Sequence, residues 1–593
     1  MKDLAVLNHY FVKYKWHFLF GIVFVTLSNF FRVLQPQMIR EALDLVIANI
    51  ELYDSFRGTS LQREFMKMLG GQLLFFGALV LLLALIMGLF MYFMRQTIIV
   101  MSRLIEYDMR KQIFTHYQEL DLGFYKRNNT GDLMARITED VNKVRMYLGP
   151  AVLYGINLTS LTILVISSMV SVNLKLTLYC LAPLPILSLS IYYVSNLINQ
   201  KSSIIQAQLS NLNSISQEVY SGIRVVKSYV QESAMTRFFS QESEDYKIKA
   251  LNLAKVNALF FPLMLLLIGA STAITVYIGG AQVVSGAITP GNIAEFVIYV
   301  NMLTWPVTAI GWIASIVQQA AASQKRINEF LDTETAIQNT QGDHSSIEGS
   351  IVFDNVEFVY PDTGIRALKD INLSLAPGQK MAIIGRTGSG KTSIADLLVR
   401  MYDVTSGSIQ IDGKDIREHD LSNLRQRIGY VPQDVFLFSD TIAHNIAFGK
   451  RDAERPEVEQ FAKYASVYDD IADLNKGFDT YIGERGVTLS GGQKQRVSIA
   501  RALIKKPDIV ILDDCLSAVD TNTEQQILTY FEEHLQNKTC IIITHRIYSL
   551  LEFDKIVVLE DGQVVEEGTH DELIKNGGYY ADLYEKQSIE DAA

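Results

Sequence analysis

Met381-Ala382-Ile383-Ile384 runs directly into Gly385-Arg386-Thr387-Gly388-Ser389-Gly390-Lys391-Thr392, with Ser393 behind it. The apolar run reads as a buried strand. The eight residues after it match GxxxxGK[ST] in the strand–loop–helix setting that the chemistry requires. Glycines let backbone N–H groups approach phosphate oxygens, and the start of the following helix favours anions. Lys391 would reach the β- and γ-phosphates, and Thr392 would hold Mg²⁺. The bare pattern arises by chance in long sequences. Placed behind an apolar strand, it marks a nucleoside triphosphate site.

Two more apolar runs support this reading. Residues 508–512 end in Asp513-Asp514, where an acidic residue at a strand tip holds the metal shell and the next can orient or deprotonate an attacking water. Cys540-Ile541-Ile542-Ile543-Thr544 ends in His545. Alone, a histidine there would more often be structural; at the carboxyl edge of a parallel sheet beside the phosphate loop, it points to the γ-phosphate position. Continuous β-branched runs alternating with helical stretches indicate an α/β core.

The rest of the 593-residue chain is of another kind. Over all 593 residues hydrophobic side chains make up 49%, and the mean hydropathy is +0.16. Residues 1–330 hold 27 Lys+Arg against 20 Asp+Glu, and residues 331–593 hold 26 against 44. Disorder is excluded by the apolar content, a disulfide framework by having only Cys180, Cys515 and Cys540, and a nucleic-acid role gains nothing from the acidic half. Apolar windows at 16–31, 68–94, 146–174, 176–200, 256–294 and 296–324 read as six membrane spans. The fifth window is too long for one span, and Thr289-Pro290-Gly291-Asn292 reads as the turn before a helix with Glu295 in its first turn.

Residues 95–145 carry nine Lys/Arg and 201–255 carry seven, so both connections, both termini and the C-terminal half are expected in the cytoplasm, and 32–67 outside. No signal-peptide cleavage site follows the first span, which Lys13 and Lys15 precede; a bacterial inner membrane is expected. Asn157, Asn301, Gln318 and Gln319 are expected to pack between helices more than to line a path, while Trp16, Trp305 and Trp312 suit interface or cavity equally. The layout is a helical transmembrane domain at 1–325, a linker at 326–346 and an α/β nucleotide-binding domain at 347–593.

Leu489-Ser490-Gly491-Gly492-Gln493 resembles the signature of ATP-binding cassette (ABC) proteins, and the likeness extends over the whole chain. Tyr360 resembles the aromatic that stacks on adenine, Gln433 the glutamine that joins the Mg²⁺ shell, Gly483-Glu484-Arg485-Gly486 the exporter X-loop, Ser517-Ala518-Val519-Asp520 the D-loop, and His545 the switch histidine. The resemblance is to type IV exporter half-transporters, and it implies coupling helices within 122–140 and 215–230. It also implies ATP held between the phosphate loop of one subunit and Ser490, Gly491, Gly492 and Gln493 of another, hence a dimer.

One position departs from the family. Where the family has a catalytic Glu after the Walker B aspartate, this chain has Asp514, one methylene shorter. An intact signature beside a shortened base resembles the degenerate-site subunit of heterodimeric bacterial multidrug exporters, so the partner is expected to be a different half-transporter, and otherwise a second copy. The function implied is ATP-driven export of amphipathic drugs or lipids, with a homodimeric lipid or glycolipid flippase as the alternative. A channel using ATP mainly for binding is disfavoured by His545 and the intact signature. A soluble repair ATPase is excluded by the spans, and an importer is disfavoured by the fusion of the two domains.

Overall fold

A computed structural model describes residues 3–339, 346–483, 486, 488–516, 519, 521–534, 537–547 and 553–592. The chain divides into two compact units. One comprises Met1–His116 with Gly131–Thr333, and the other Tyr117–Thr130 with Glu334–Ala593.

The first unit is helical throughout. Its long elements are α1 (Lys15–Ala48), α2 (Leu61–Glu119), α4 (Val152–Val172), α5 (Leu174–Leu181), α6 (Pro183–Ser221), α8 (Glu232–Val284) and α9 (Pro290–Leu331); α3 (Leu122–Arg127) belongs to the other unit, and α7 (Ile223–Ser228) is short. Among the described residues, five helical stretches are long and apolar enough to cross a membrane. The remaining expected span falls on α5 and α6, which meet at Ala182 because Pro183 has no N–H to continue the ladder. Arg32 does not end the first span, since α1 continues through it and through Pro36 to Ala48.

Three expectations for this half need correction. Glu295 lies beyond the first turn of α9 and is fully buried, accepting from Arg40 Nη1 at 3.2 Å, Asn292 Nδ2 at 3.2 Å and the Tyr299 hydroxyl at 3.0 Å. The carboxylate at the start of α9 is instead Asp44, which accepts from Gly291 N at 2.7 Å and Thr289 Oγ1 at 2.6 Å. Asn301 and Gln319 bond within their own helix one turn back, to Val297 O at 2.8 Å and Ser315 Oγ at 3.1 Å. Asn157 does take part between helices, through its carbonyl, which accepts from Asn29 Nδ2 at 3.2 Å. Trp305 and Trp312 stand about two turns apart on α9, each 5.4 Å from the Tyr154 ring.

In the second unit the strands are β1 (Ile351–Val359), β2 (Arg366–Leu375), β3 (Lys380–Gly385), β4 (Ser406–Ile411), β5 (Lys414–Asp415), β6 (Ile428–Val431), β7 (Ile509–Asp513), β8 (Thr539–Thr544), β9 (Lys555–Glu560) and β10 (Gln563–Gly568). An antiparallel sheet takes the order β2-β1-β4-β5, and a six-stranded sheet the order β10-β9-β3-β8-β7-β6, parallel from β9 to β6. Every residue of β7 and β8 is buried, as the uninterrupted Ile/Val/Leu runs demand of strands covered on both faces. The register pairs Ile384 with Thr544 and Asp513 with Ile543, so Gly385, Asp513 and Thr544 reach the same edge.

Candidate nucleotide-binding site

That edge carries the cleft. β3 delivers Gly385, and the loop turns at Gly388 and Gly390, whose φ angles of 84° and 98° are costly for any residue with a Cβ. A Cβ on Gly390 would also stand 2.5 Å from Ala367 O. The helix α10 (Lys391–Leu398) starts immediately afterwards. Lys391 Nζ donates to Gly385 O and Arg386 O, both at 2.8 Å, so the ammonium lies across the loop it would share with phosphates. Burial lowers the Lys391 pKa, against the pull of Asp513 and Asp514.

The cleft measures about 1080 Å³. Residues 385–388 and 390–393 line it, together with Tyr360, Gln433, Asp513, Asp514 and His545. Ser389 is the exception within the loop: its Oγ is buried and has no hydrogen-bond partner among the described residues. Tyr360 bonds through its hydroxyl to Ser393 Oγ at 2.9 Å. Lys126 of α3 stands 4.9 Å from the Tyr360 ring centre and 5.4 Å from that of Tyr402.

Asp513 is 1% exposed, and burial raises its pKa, partly offset by a hydrogen bond with Thr392. Asp513 Oδ2 is buried with no hydrogen-bond partner among the described residues. A paired carboxylate oxygen, a hydroxyl and an orphaned oxygen facing a phosphate cleft fit a hard divalent cation.

Asp514 has φ 47°, and its N–H donates to Ile543 O at 2.8 Å. From there its carboxylate reaches His545 Nδ1 at 3.0 Å and Gln433 Nε2 at 3.4 Å. Sequence separation hides this grouping: three residues from three different strand ends meet at one carboxylate.

The signature lies elsewhere. Ser490 caps α11 (Gly491–Leu503), its Oγ accepting from Gln493 N at 3.3 Å while Gln493 Oε1 accepts from Ser490 N at 3.0 Å. Ser490, Gly491, Gly492 and Gln493 do not line the cleft. The X-loop residues Glu484 and Arg485 and the D-loop residues Ser517, Ala518 and Asp520 lie outside the described residues. Cys515 is 2% exposed, and burial drives its pKa far up, so its thiol is inert.

Sequence reasoning missed the far wall. The terminal helix α12 (Tyr579–Ala592) lines the cleft with Tyr579, Leu583, Lys586 and Gln587. Gln587 Nε2 donates to His545 O at 2.9 Å, and Gln587 Oε1 accepts from Ile547 N at 2.8 Å, a two-ended clamp on the histidine loop. No motif or spacing in the sequence signals it. The same holds for Asp396 on α10, whose pKa burial raises to about 6.

Two family models match, the ABC transporter transmembrane region over residues 18–307 and ABC transporter over 368–517. The chain is 36% identical over 524 residues to the multidrug resistance-like ATP-binding protein MdlA of Escherichia coli (88% of this chain, 89% of the relative). It is 34% identical over 506 residues to the ATP-dependent lipid A-core flippase of Pseudomonas fluorescens (85% and 84%). The solved structure of a bacterial Atm1-family ABC exporter with ATP bound superposes with a TM-score of 0.76 at 26% identity, covering 98% of this chain and 99% of that one.

Proposed function

The chain belongs to the ABC transporter family, as an ATP-hydrolysing exporter half-transporter, and from that premise we propose that it moves amphipathic compounds outward across a bacterial inner membrane in complex with a second, different half-transporter. The observation that carries this reading is the split of the machinery. The phosphate loop, Asp513, Asp514 and His545 share a cleft that the chain's own Ser490–Gln493 segment does not enter. A complete ATP site therefore takes its signature from another subunit, and ATP bridges the two.

Within the site, backbone amides of 385–392 and Lys391 bind the phosphates, and Tyr360 stacks on the adenine. Mg²⁺ would be held by Thr392 and Asp513, with Gln433 completing the shell, and would neutralise charge on the β- and γ-phosphates. Asp514 orients the attacking water, and His545, beside Asp514, faces the γ-phosphate. Ser490, Gly491, Gly492 and Gln493 serve the partner's ATP. Closing and opening of the nucleotide-binding domains passes to the spans through the segments 122–140 and 215–230, giving alternating access. The basic connections support a cytoplasmic position for these segments, both termini and the nucleotide-binding domain.

The names of the relatives support drugs or lipids as cargo, and the short Asp514 side chain supports a heterodimer in which this chain's phosphate loop forms the slow site. The test is Lys391→Ala, in both subunits if the partner carries the same loop. ATP hydrolysis and ATP-driven accumulation of a fluorescent amphiphile in inverted vesicles should fall together. Accumulation that survives the substitution overturns hydrolysis-coupled export.

A further inference from the structure

Arg32 sits within the apolar stretch of α1, roughly 25 Å along the helix from Lys15 at 1.5 Å per residue, and about 12 Å short of the next cation, Arg40. An ionisable side chain at such a depth needs a partner or a function. Arg40 has its partners, Glu41 and Glu295. Arg32 has none: no hydrogen bond, ion pair or neighbouring charge reaches it among the described residues.

Nor does it lie on the face turned to hydrocarbon. The buried seam of α1 runs through Val25, Ser28, Asn29, Val33 and Pro36, and Arg32 follows Ser28 by one turn and precedes Pro36 by another. The exposed face, with Val23 at 44% and Phe30 at 45%, is a different one. The polar side chains flanking Arg32 already have partners across the seam. Ser28 Oγ donates to Met87 O at 3.3 Å, Gln35 Nε2 reaches Met87 Sδ at 3.8 Å, and Asn29 Nδ2 donates to Asn157 O at 3.2 Å. These tie α1 to α2 and α4 on both sides of the guanidinium and leave its own donors unfilled.

We propose that Arg32 is a recognition site for the anionic head group, phosphate or carboxylate, of an amphiphile carried through the membrane half. The guanidinium presents five donors in a planar fork that matches either anion in a bidentate way, and an apolar surround strengthens the pairing. A bound anion supplies the counter-charge that none of the described residues provides. This assignment rests on the export reading and narrows its cargo: compounds with an anionic head and apolar tail are held more tightly than cationic ones of equal length.

The experiment compares three dansyl-labelled probes of one alkyl length, ending in phosphate, carboxylate or trimethylammonium, binding to the purified full-length protein in its native assembly. The expected result is at least tenfold tighter binding of the two anions. Arg32→Gln abolishes that preference, whereas Arg32→Lys, which keeps the charge but not the fork, retains part of it. Equal affinities for the three probes in the parent protein, or a preference unchanged in Arg32→Gln, overturn the assignment. So does dissociation of the Arg32→Gln assembly in native mass spectrometry, since the guanidinium would then be pairing with the partner subunit. Movement of the probes into vesicles is measured separately: an anion preference lost in Arg32→Gln, without ATP-driven movement, upholds the site and refutes export.

Discussion

Asp514→Glu restores the side-chain length the family uses, and its effect can be worked from the geometry. The Asp514 carboxylate is anchored from a backbone held by the 2.8 Å bond to Ile543 O, and it already spends one oxygen on His545 at 3.0 Å and the other on Gln433 at 3.4 Å. One added methylene carries the carboxylate about 1.5 Å further into the cleft. A misplacement on the order of 1 Å can cost about a hundredfold in rate, or about 2.7 kcal/mol of barrier. Relieving it should raise turnover at this chain's site by roughly ten- to a hundredfold. A cost opposes the gain. Position 514 has φ 47°, a region that short polar side chains tolerate better than longer ones. About 1 kcal/mol of stability should be lost, visible as a lower Tm.

The assay is steady-state ATP hydrolysis at saturating ATP in the assembly as isolated, with the partner's own catalytic carboxylate amidated so that only this chain's phosphate loop turns over. Binding of a fluorescent ATP analogue is measured in parallel. Unchanged hydrolysis with unchanged binding refutes the placement argument and removes the reason for expecting an asymmetric pair. Native mass spectrometry of the same preparation gives the composition directly, as one chain or two.

Gln587→Ala breaks two hydrogen bonds to the His545 loop, each worth about 1 kcal/mol, and should lower kcat by an order of magnitude while ATP affinity holds. In a His545→Ala background the same substitution should cost nothing further, whereas an additive loss would mean that Gln587 merely stabilises the fold. Asp396 gives a pH signature. Its folded pKa of about 6 exceeds the reference 3.8, so the native protein binds that proton more tightly than the unfolded chain does. Stability is then highest below about pH 4 and is lost as pH rises through 6, by at most ~3 kcal/mol at pH 7. Asp396→Asn should flatten this part of the Tm profile and raise Tm at pH 7; a profile parallel to the parent's refutes the assignment.

The nucleotide site was legible where one local element carries its own chemistry. A buried strand ending in GxxxxGK[ST] needs no distant contact to declare itself, and Asp513-Asp514 and Thr544-His545 stand at strand ends that continuous apolar runs mark out. What stayed hidden depends on packing across long separations. Gln587 reaches His545 only because α12 folds back over the sheet edge. Asp396 is raised because α10 is covered, and in sequence it looks like any surface aspartate in an amphipathic helix. The membrane half failed differently. Composition located apolar windows, yet could not say that Pro183 divides one of them, that α1 continues past Arg32, or that Asn301 and Gln319 find their partners one turn away.

Arg32 and Arg40 show what separates a charge that stabilises from one that waits for a ligand. Both are arginines on the same helix, eight positions apart, and hydropathy treats them alike. Arg40 meets Glu295, fully buried on α9, and Glu295 takes two further hydrogen bonds from Asn292 and Tyr299, so both charges are compensated. Removing either partner there would strand the other, which is the expensive event for a buried pair. Arg32 has no such counterpart among the described residues to strand. Arg32→Gln therefore removes a cost rather than creating one, and the protein should tolerate it better than Arg40→Gln. A structural role in which Arg32 held the bundle together would reverse that order of stabilities, so thermal unfolding of the two variants tests the distinction without any ligand.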